Sequence, residues 1–379
     1  MNLIHRHIFA NVVLTCGAAV GLFAFVLMLG SALKDLLGHV LAGQLAPDTL
    51  VRLVALTIPV VVSYALPMGM LSGILLVLGR MSSDREVTAL RASGLSVAWL
   101  SAPIVFFALL GVGLTVLINF EFMPRAKVAY ERELAQAVQQ NPLSFIVPKT
   151  FIRDFPGLVI YAGDKQEDIL RDIWVWKLDR QNRVVQSGRA TSGRISFDEK
   201  NNKLVLDADN LQAELHDEKD PENMANVHSG GGSDHATFDL VLDKLTGGQT
   251  INVKTKWLTF SQLLAEWRRL GRPDPAVPAA ERAKQQMRVQ IIIHEKFATA
   301  FAVLSFALIA VPLGIKVSRK ETSANLGLAL ALAMTYYFAT IVVGWFDGHP
   351  ELRPDLLMWL PNFAFQSLGL WMLYKVDRA

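Results

Sequence analysis

Six stretches of this 379-residue chain contain no Asp, Glu, Lys, Arg or His: Ile8 to Leu33, Leu53 to Gly79, Ala92 to Phe120, Phe297 to Ile315, Thr322 to Phe346 and Leu356 to Tyr374. A hydrocarbon core about 30 Å thick is crossed by roughly 20 apolar residues in a helix, and a charge at its centre costs on the order of 2.5–3.5 kcal/mol. All six stretches meet that length. Core helices of soluble domains seldom run so far without a charge, so six together exclude a soluble fold. The first stretch is too long for a cleaved signal peptide, and no small-residue cleavage pattern ends it. The expectation is an α-helical polytopic membrane protein with six transmembrane helices.

Basic residues set the orientation. Arg6, Arg80, Arg85, Arg91, Lys316, Arg319, Lys320, Lys375 and Arg378 flank one side of these stretches, against Lys34, Arg52 and Arg353 on the other. The positive-inside rule then places both termini in the cytoplasm. The long insert from about Glu121 to Lys296 falls outside, in the periplasm of a double-membraned bacterium. With its basic residues explained by topology, a net charge of +3 gives no support for nucleic acid as a partner. The single cysteine, Cys16, lies in the first stretch, so no disulfide staples the insert.

The insert reads as a helix from Arg125 to Gln139, stopped by Asn141 and Pro142, followed by short strands. The strand patterns are Leu158 to Tyr161, Ile173 to Leu178, Arg183 to Gln186, Arg194 to Phe197, Lys203 to Leu206, Leu211 to Leu215 and Thr237 to Leu242. Asp179 to Asn182 and Asp198 to Asn202 carry turn chemistry, and Ser229 to Ser233 reads as a loop rich in glycine. Such short strands suggest an all-β, jelly-roll-like sandwich inserted between the third and fourth spans. A capped helix from Thr259 to Leu270 and a proline-rich linker from Arg272 to Pro278 lead to a helix that enters the fourth span from Ala279. The expected division is 1–124, with a cytoplasmic helix at about 82–93, then 125–278 for the periplasmic domain and 279–379 for the last three spans.

Several chemistries are excluded. Ion-coupled transport needs ionisable groups at bilayer depth, which the six stretches lack, and no internal repeat suggests a duplicated transporter. Their polar residues, among them Ser63, Tyr64, Asn119, Tyr336, Asn362 and Gln366, read as interhelical hydrogen-bond formers. A phosphate-binding P-loop would require Gly immediately before Lys, a pair that never occurs. His294-Glu295 opens like a zinc-protease motif, but Ala298 and Thr299 stand where the second histidine belongs. His228, Asp234 and His235 fall in the glycine-rich stretch and read as a solvated surface. No catalytic residue, metal site or cofactor of this chain's own is expected, and any energy for transport comes from a partner.

The most informative short segment runs from Arg80 to Gly94 between spans two and three. Ser83 and Glu86 have capping-box spacing and Gly94 is a natural helix stop, which predicts a helix of two to three turns on the cytoplasmic face, either a docking element or a plain connector. The sequence Glu86-x-x-Ala89-Leu90-Arg91-Ala92-Ser93-Gly94-x-Ser96 resembles the coupling segment of the lipopolysaccharide export permeases, the LptF/LptG (YjgP/YjgQ) family. Val311-Pro-Leu-Gly314, Gly327 to Tyr337 and Trp359-Leu-Pro-Asn362 extend the resemblance nearly end to end, and two of these segments look slightly closer to the F type.

The resemblance implies a permease subunit of an ATP-driven exporter that extracts lipopolysaccharide from the inner membrane. Its implied partners are a paralogous permease in a heterodimer, an LptB-like cytoplasmic ATPase dimer that binds the ATP, and LptC/LptA-like proteins forming a periplasmic bridge. It assigns ATPase coupling to Glu86, Arg80, Arg85, Ala89, Arg91, Ser93 and Gly94. Lys34, and less strongly Arg52, would contact the anionic groups of the lipid. Snorkelling or an ion pair with Asp35 are the alternatives for Lys34. A mechanotransmitting membrane subunit that carries no lipid, and a membrane-bound hydrolase, are the competing functions.

Overall fold

The computed structural model describes residues 3–41, 45–140, 147–153, 158–166, 169–179, 183–198, 203–215, 228–241, 254–272, 279–316, 322–348 and 353–378. The helix stop at Asn141 and Pro142, the turns at 180–182 and 199–202 and most of the proline-rich linker, 273–278, lie outside the described residues. Two compact units emerge: residues 1–31, 57–127 and 254–379 form the first, and residues 32–56 and 128–253 the second.

The first unit is helical. The long helices are α1 (Leu3–Leu41), α2 (Pro47–Ser83), α4 (Val97–Leu117), α7 (Ala279–Lys316), α8 (Thr322–Gly344) and α10 (Leu360–Arg378), and α1 and α2 also contribute to the second unit. Shorter helices are α3 (Glu86–Ala92), α5 (Met123–Gln140), which belongs to the second unit from Val128 on, α6 (Phe260–Leu270) and α9 (Pro354–Leu357). Six helices among the described residues are long and apolar enough to cross a membrane, as the uncharged stretches predicted. A helix satisfies its own backbone groups, which hydrocarbon cannot do for it. The third candidate span does so through an irregularity, a π-helical turn at Ile118–Phe122 that joins α4 to α5.

Apolar side chains gain little from leaving lipid, so close backbone approach and interhelical hydrogen bonds must hold such helices together. Gly69 and Gly73, one turn apart on α2, meet Val20 and Cys16 of α1. A Cβ on Gly73 would lie 2.6 Å from the Cα of Cys16. On α10, a Cβ at Gly369 would lie 2.8 Å from the carbonyl carbon of Leu308 in α7. The central α7 contributes small buried residues, Ala300, Ala302, Ala307 and Ala310, interleaved with Val303 and Phe306. Phe306 meets the buried Tyr336 of α8 edge-on, with ring centroids 5.0 Å apart.

The second unit is built on a six-stranded antiparallel sheet: β1 (Phe151–Ile152), β2 (Leu158–Gln166), β3 (Ile169–Leu178), β4 (Val184–Asp198), β5 (Lys203–Leu215) and β6 (His228–Val241). The strands neighbour one another in sequence order. Three expectations are corrected. The patterns at Arg183–Gln186 and Arg194–Phe197 are two parts of one strand, β4, and those at Lys203–Leu206 and Leu211–Leu215 are likewise both in β5. The supposed loop Ser229 to Ser233 is strand as well, because β5 pairs with it at Leu211↔Ser233, Gln212↔Gly232 and Glu214↔Ser229. Backbone pairing from a neighbour overrides the low strand propensity of a polar, glycine-rich stretch. One face buries Ile152, Ile160, Ala162, Leu170, Ile173, Ala190, Leu206 and Ala208, capped by Leu45, Leu134 and Ala137.

Because a side chain at Gly73 would overlap the α1 backbone, Gly73→Val should destabilise the protein in detergent by about 1–3 kcal/mol, the usual cost of overpacking. Gly17→Ala, where a Cβ meets nothing within 4 Å, should melt like the wild type. Thermal unfolding followed by far-UV circular dichroism measures both, and equal melting of the two variants would remove the close α1–α2 contact from the account of stability.

Candidate functional site

Both chain ends, the turn from α2 to α4 and the last turn of α7 lie at one end of the helical unit. His5 bonds the carbonyl of Trp99 at 3.1 Å with its ring 3.8 Å from the indole, and the amide of Val97 donates to Asp377 at 2.6 Å. The Ser82 hydroxyl donates to the Ile315 carbonyl at 2.7 Å, and a Cβ on Gly314 would lie 2.8 Å from that of Leu78. The Val311-Pro-Leu-Gly314 segment thus owes its glycine to the close crossing of α7 on α2.

From this base α3 projects as a separate piece. Asp84 and Arg85 interrupt the helix between α2 and α3, with Arg85 in the left-handed region at φ 61°. The predicted capping box does not form: Ser83 is the last residue of α2, and no side chain caps α3. The reason is local, since the Asp84 amide still bonds Arg80 and the Arg85 amide bonds Ser82, which keeps Ser83 inside the preceding helical turn. The far end matches expectation. Gly94 has φ 88°, the Leu95 amide reaches back to Leu90 and the Gly94 amide to Arg91, a Schellman stop that suits a residue without Cβ. Ser96 then caps α4 through the amide of Trp99 at 3.1 Å.

One side of α3 is anchored and the other is open. Val87 is buried in the main core and Leu90 packs partly against it. Arg85, Glu86, Ala89, Ser93 and Gly94 are exposed, Arg91 is half-buried, and Arg80 pairs with Asp84 at 3.7 Å on the surface. Glu86 has no hydrogen-bond or ion-pair partner among the described residues. The Glu86 carboxylate thus stands on the open side of a short helix fixed from behind by Val87.

The two lipid-contact candidates fall in the second unit. Lys34 lies on α1, and its side chain is outside the described residues. Arg52 is exposed but faces two carboxylates, Asp48 at 3.8 Å and Glu133 at 3.7 Å.

A buried polar layer lies at the opposite end of the helical unit, where Ser63, Asn119, Tyr336 and Asn362 form the interhelical hydrogen bonds expected of them and the buried Lys296 and Asp355 were not foreseen. The side chain of Asn119, in the π-helical turn, accepts from Ser63 of α2 and donates to the Lys296 carbonyl and the Thr299 hydroxyl of α7, each at 3.0 Å. The Lys296 ammonium is itself buried. It donates to the carbonyls of Asn119 at 3.0 Å and Leu258 at 3.2 Å and lies 5.4 Å from the centre of the Phe120 ring. Next to it, Asn362 of α10 joins Ser305 at 2.7 Å and Tyr336 at 3.2 Å. The fully buried carboxylate of Asp355 holds Arg353 at 3.0 Å and Gln290 at 3.1 Å. Lys296 and Asp355 each stand one residue outside an uncharged run, which is why counting such runs passed over them. Of the three residues considered for a metal, His235 is an exposed strand residue 2.6 Å from Asp209, Asp234 is exposed on the same strand, and the side chain of His228 lies outside the described residues. No cluster with the makings of a metal site occurs among the described residues.

Residues 6–375 match the family model described as lipopolysaccharide export system permease LptF/LptG. No curated protein matches the chain.

Replacing Lys296 with Met leaves the buried Asn119 carbonyl and the half-buried Leu258 carbonyl without their donor and releases the segment around Leu258. Charged hydrogen bonds contribute about 1.5–3 kcal/mol each, so tryptic cleavage after Lys256 should accelerate roughly tenfold or more in native-state proteolysis. An unchanged cleavage rate would show that the ammonium does not fasten this segment.

Proposed function

This chain belongs to the lipopolysaccharide export permeases, and we propose that it is one permease subunit of an ATP-driven exporter that hands the lipid to a periplasmic bridge. The observation that carries the ATP-driven part is the architecture of α3. Its base is fixed by Val87 and the Schellman stop at Gly94, while Glu86 projects unpaired between Arg85 and Arg91. A cytoplasmic ATPase dimer docks on this helix, with Glu86 meeting a cation of the ATPase, Arg80 and Arg91 flanking it, and Ala89, Ser93 and Gly94 offering a face low enough for close approach. ATP stays on that partner, and this chain holds no cofactor. A paralogous permease completes the membrane chamber.

In this reading both termini and α3 face the cytoplasm, and the inserted sheet faces the periplasm, in line with the distribution of Lys and Arg. Spans without ionisable side chains form the wall of a cavity suited to acyl chains. Lys34 meets the anionic groups of the lipid at the outer end of α1. Arg52, already paired with Asp48 and Glu133, contributes only by exchanging those carboxylates for lipid. Photo-crosslinkers placed along α1 and α8 should give lipopolysaccharide adducts, and a subunit that transmits force without carrying lipid would give none.

Reversing the charge at the docking helix separates the two sites. Glu86→Lys should abolish co-purification of the ATPase while leaving the chain inserted and folded, and Lys34→Asp should leave the complex assembled and lower export several-fold. Normal recovery of the ATPase with Glu86→Lys would refute the coupling assignment.

A further inference from the structure

The face of the sheet turned away from its core is aromatic on one side and polar on the other. Tyr161 pairs across the strands with Phe151 on β1 and with Trp174 on β3, and Trp174 continues to Arg189 on β4 and Gln212 on β5. The rings touch: Phe151 is 5.1 Å from Tyr161 and 5.8 Å from Trp176, and Trp174 and Trp176 are stacked at 5.8 Å with planes 13° apart. The Arg189 guanidinium lies 4.6 Å over the Trp174 ring. Phe151 is 58% exposed, and both tryptophans are only half-buried, so the platform is open to a ligand.

A cleft of about 440 Å³ adjoins it, lined by Asp172, Arg189, Thr191, Asn210 and Gln212. The register places Asp172, Thr191 and Asn210 in one row, between Arg171↔Ser192 and Ile173↔Ala190 on one side and between Ser192↔Asp209 and Arg189↔Gln212 on the other. Asp172 and Asn210 both have left-handed backbones in mid-strand, with φ 50° and 53°. That conformation shifts the inward and outward alternation: Leu170 and Ile173, three residues apart, are both buried, as are Ala190 and Gly193. Left-handed residues inside strands carry strain, and strain of this kind concentrates where a ligand is held.

We propose that this face binds a saccharide ring of the exported glycolipid, stacked on Trp174 and Trp176 with its hydroxyls in the neighbouring cleft. The proposal rests on the permease reading and adds a sugar-recognising surface to it. An aromatic face offers an apolar plane to the C–H face of a sugar, while carboxylate, guanidinium, amide and hydroxyl groups supply donors and acceptors for vicinal hydroxyls. The charge balance argues for a neutral sugar rather than a phosphate, since Asp172 holds Arg189 at 3.2 Å and accepts from the Trp174 indole at 3.2 Å. An acyl chain would offer no hydrogen bond to the Thr191 hydroxyl or to the amides of Asn210 and Gln212.

The test uses the full-length protein in detergent, with the acyl-free oligosaccharide of lipopolysaccharide as probe and tryptophan fluorescence as readout. A saturable change is expected. Its half-saturation concentration should rise roughly tenfold in Arg189→Gln, which loses charged hydrogen bonds. Asn210→Gly removes the amide while keeping a left-handed backbone that glycine adopts freely, so it should fold as the wild type and also weaken binding. Absence of a response at millimolar oligosaccharide, or an equal response to a sugar-free acylated phosphate, would overturn the proposal. Lipopolysaccharide export by the assembled complex reads the permease assignment separately. A chain that binds the oligosaccharide and supports no export defeats that assignment and leaves the platform standing.

Discussion

Helices in hydrocarbon gain nothing by hiding leucines from lipid, so the helical unit depends on places where two backbones can touch. Three such places recur: Gly69 and Gly73 of α2 against α1, Gly314 of α7 against α2, and Gly369 of α10 against α7. Each removes a side chain where one would collide, and each lets dispersion forces and hydrogen bonds act at short range. The polar side chains follow the same logic. Ser63, Asn119, Thr299, Ser305, Tyr336 and Asn362 bond one another across helices, which leaves few unpaired groups facing the apolar interior.

The helical architecture was legible because insertion into a bilayer depends on local composition, which a linear scan reads directly. Six uncharged runs correspond to six candidate spans. The sheet was legible in class but not in extent, since strand length here is set by neighbours. The stretch Ser187 to Gly193 looks like a break in sequence, yet β3 and β5 pair with it on both sides. The glycines of β6 mislead for the same reason.

A short helix between spans two and three was anticipated, as was its C-terminal stop at Gly94, whereas its start was not. Ser83 and Glu86 have the spacing of a capping box, but the long-range fit of α2 carries that helix through Ser83, and the turn falls on Arg85 instead. The buried ammonium of Lys296 was missed because an uncharged-run count discards the residues just beyond each boundary. Those positions are where a charge can be buried at tolerable cost, with carbonyls freed by a π-helical turn and a loop to receive it. The family match identifies a lipopolysaccharide export permease, and in the structure Glu86 of α3 is exposed.

The left-handed residues at both ends of α3, Arg85 and Gly94, have a mechanical meaning. A helix continuous with its neighbours would transmit a push from outside as winding or unwinding along its axis. A seven-residue helix bounded by two reversals of backbone sense cannot share turns with α2 or α4. Its orientation on the long helices is therefore set by side-chain packing, with Val87 as the bearing surface, and not by a shared backbone ladder.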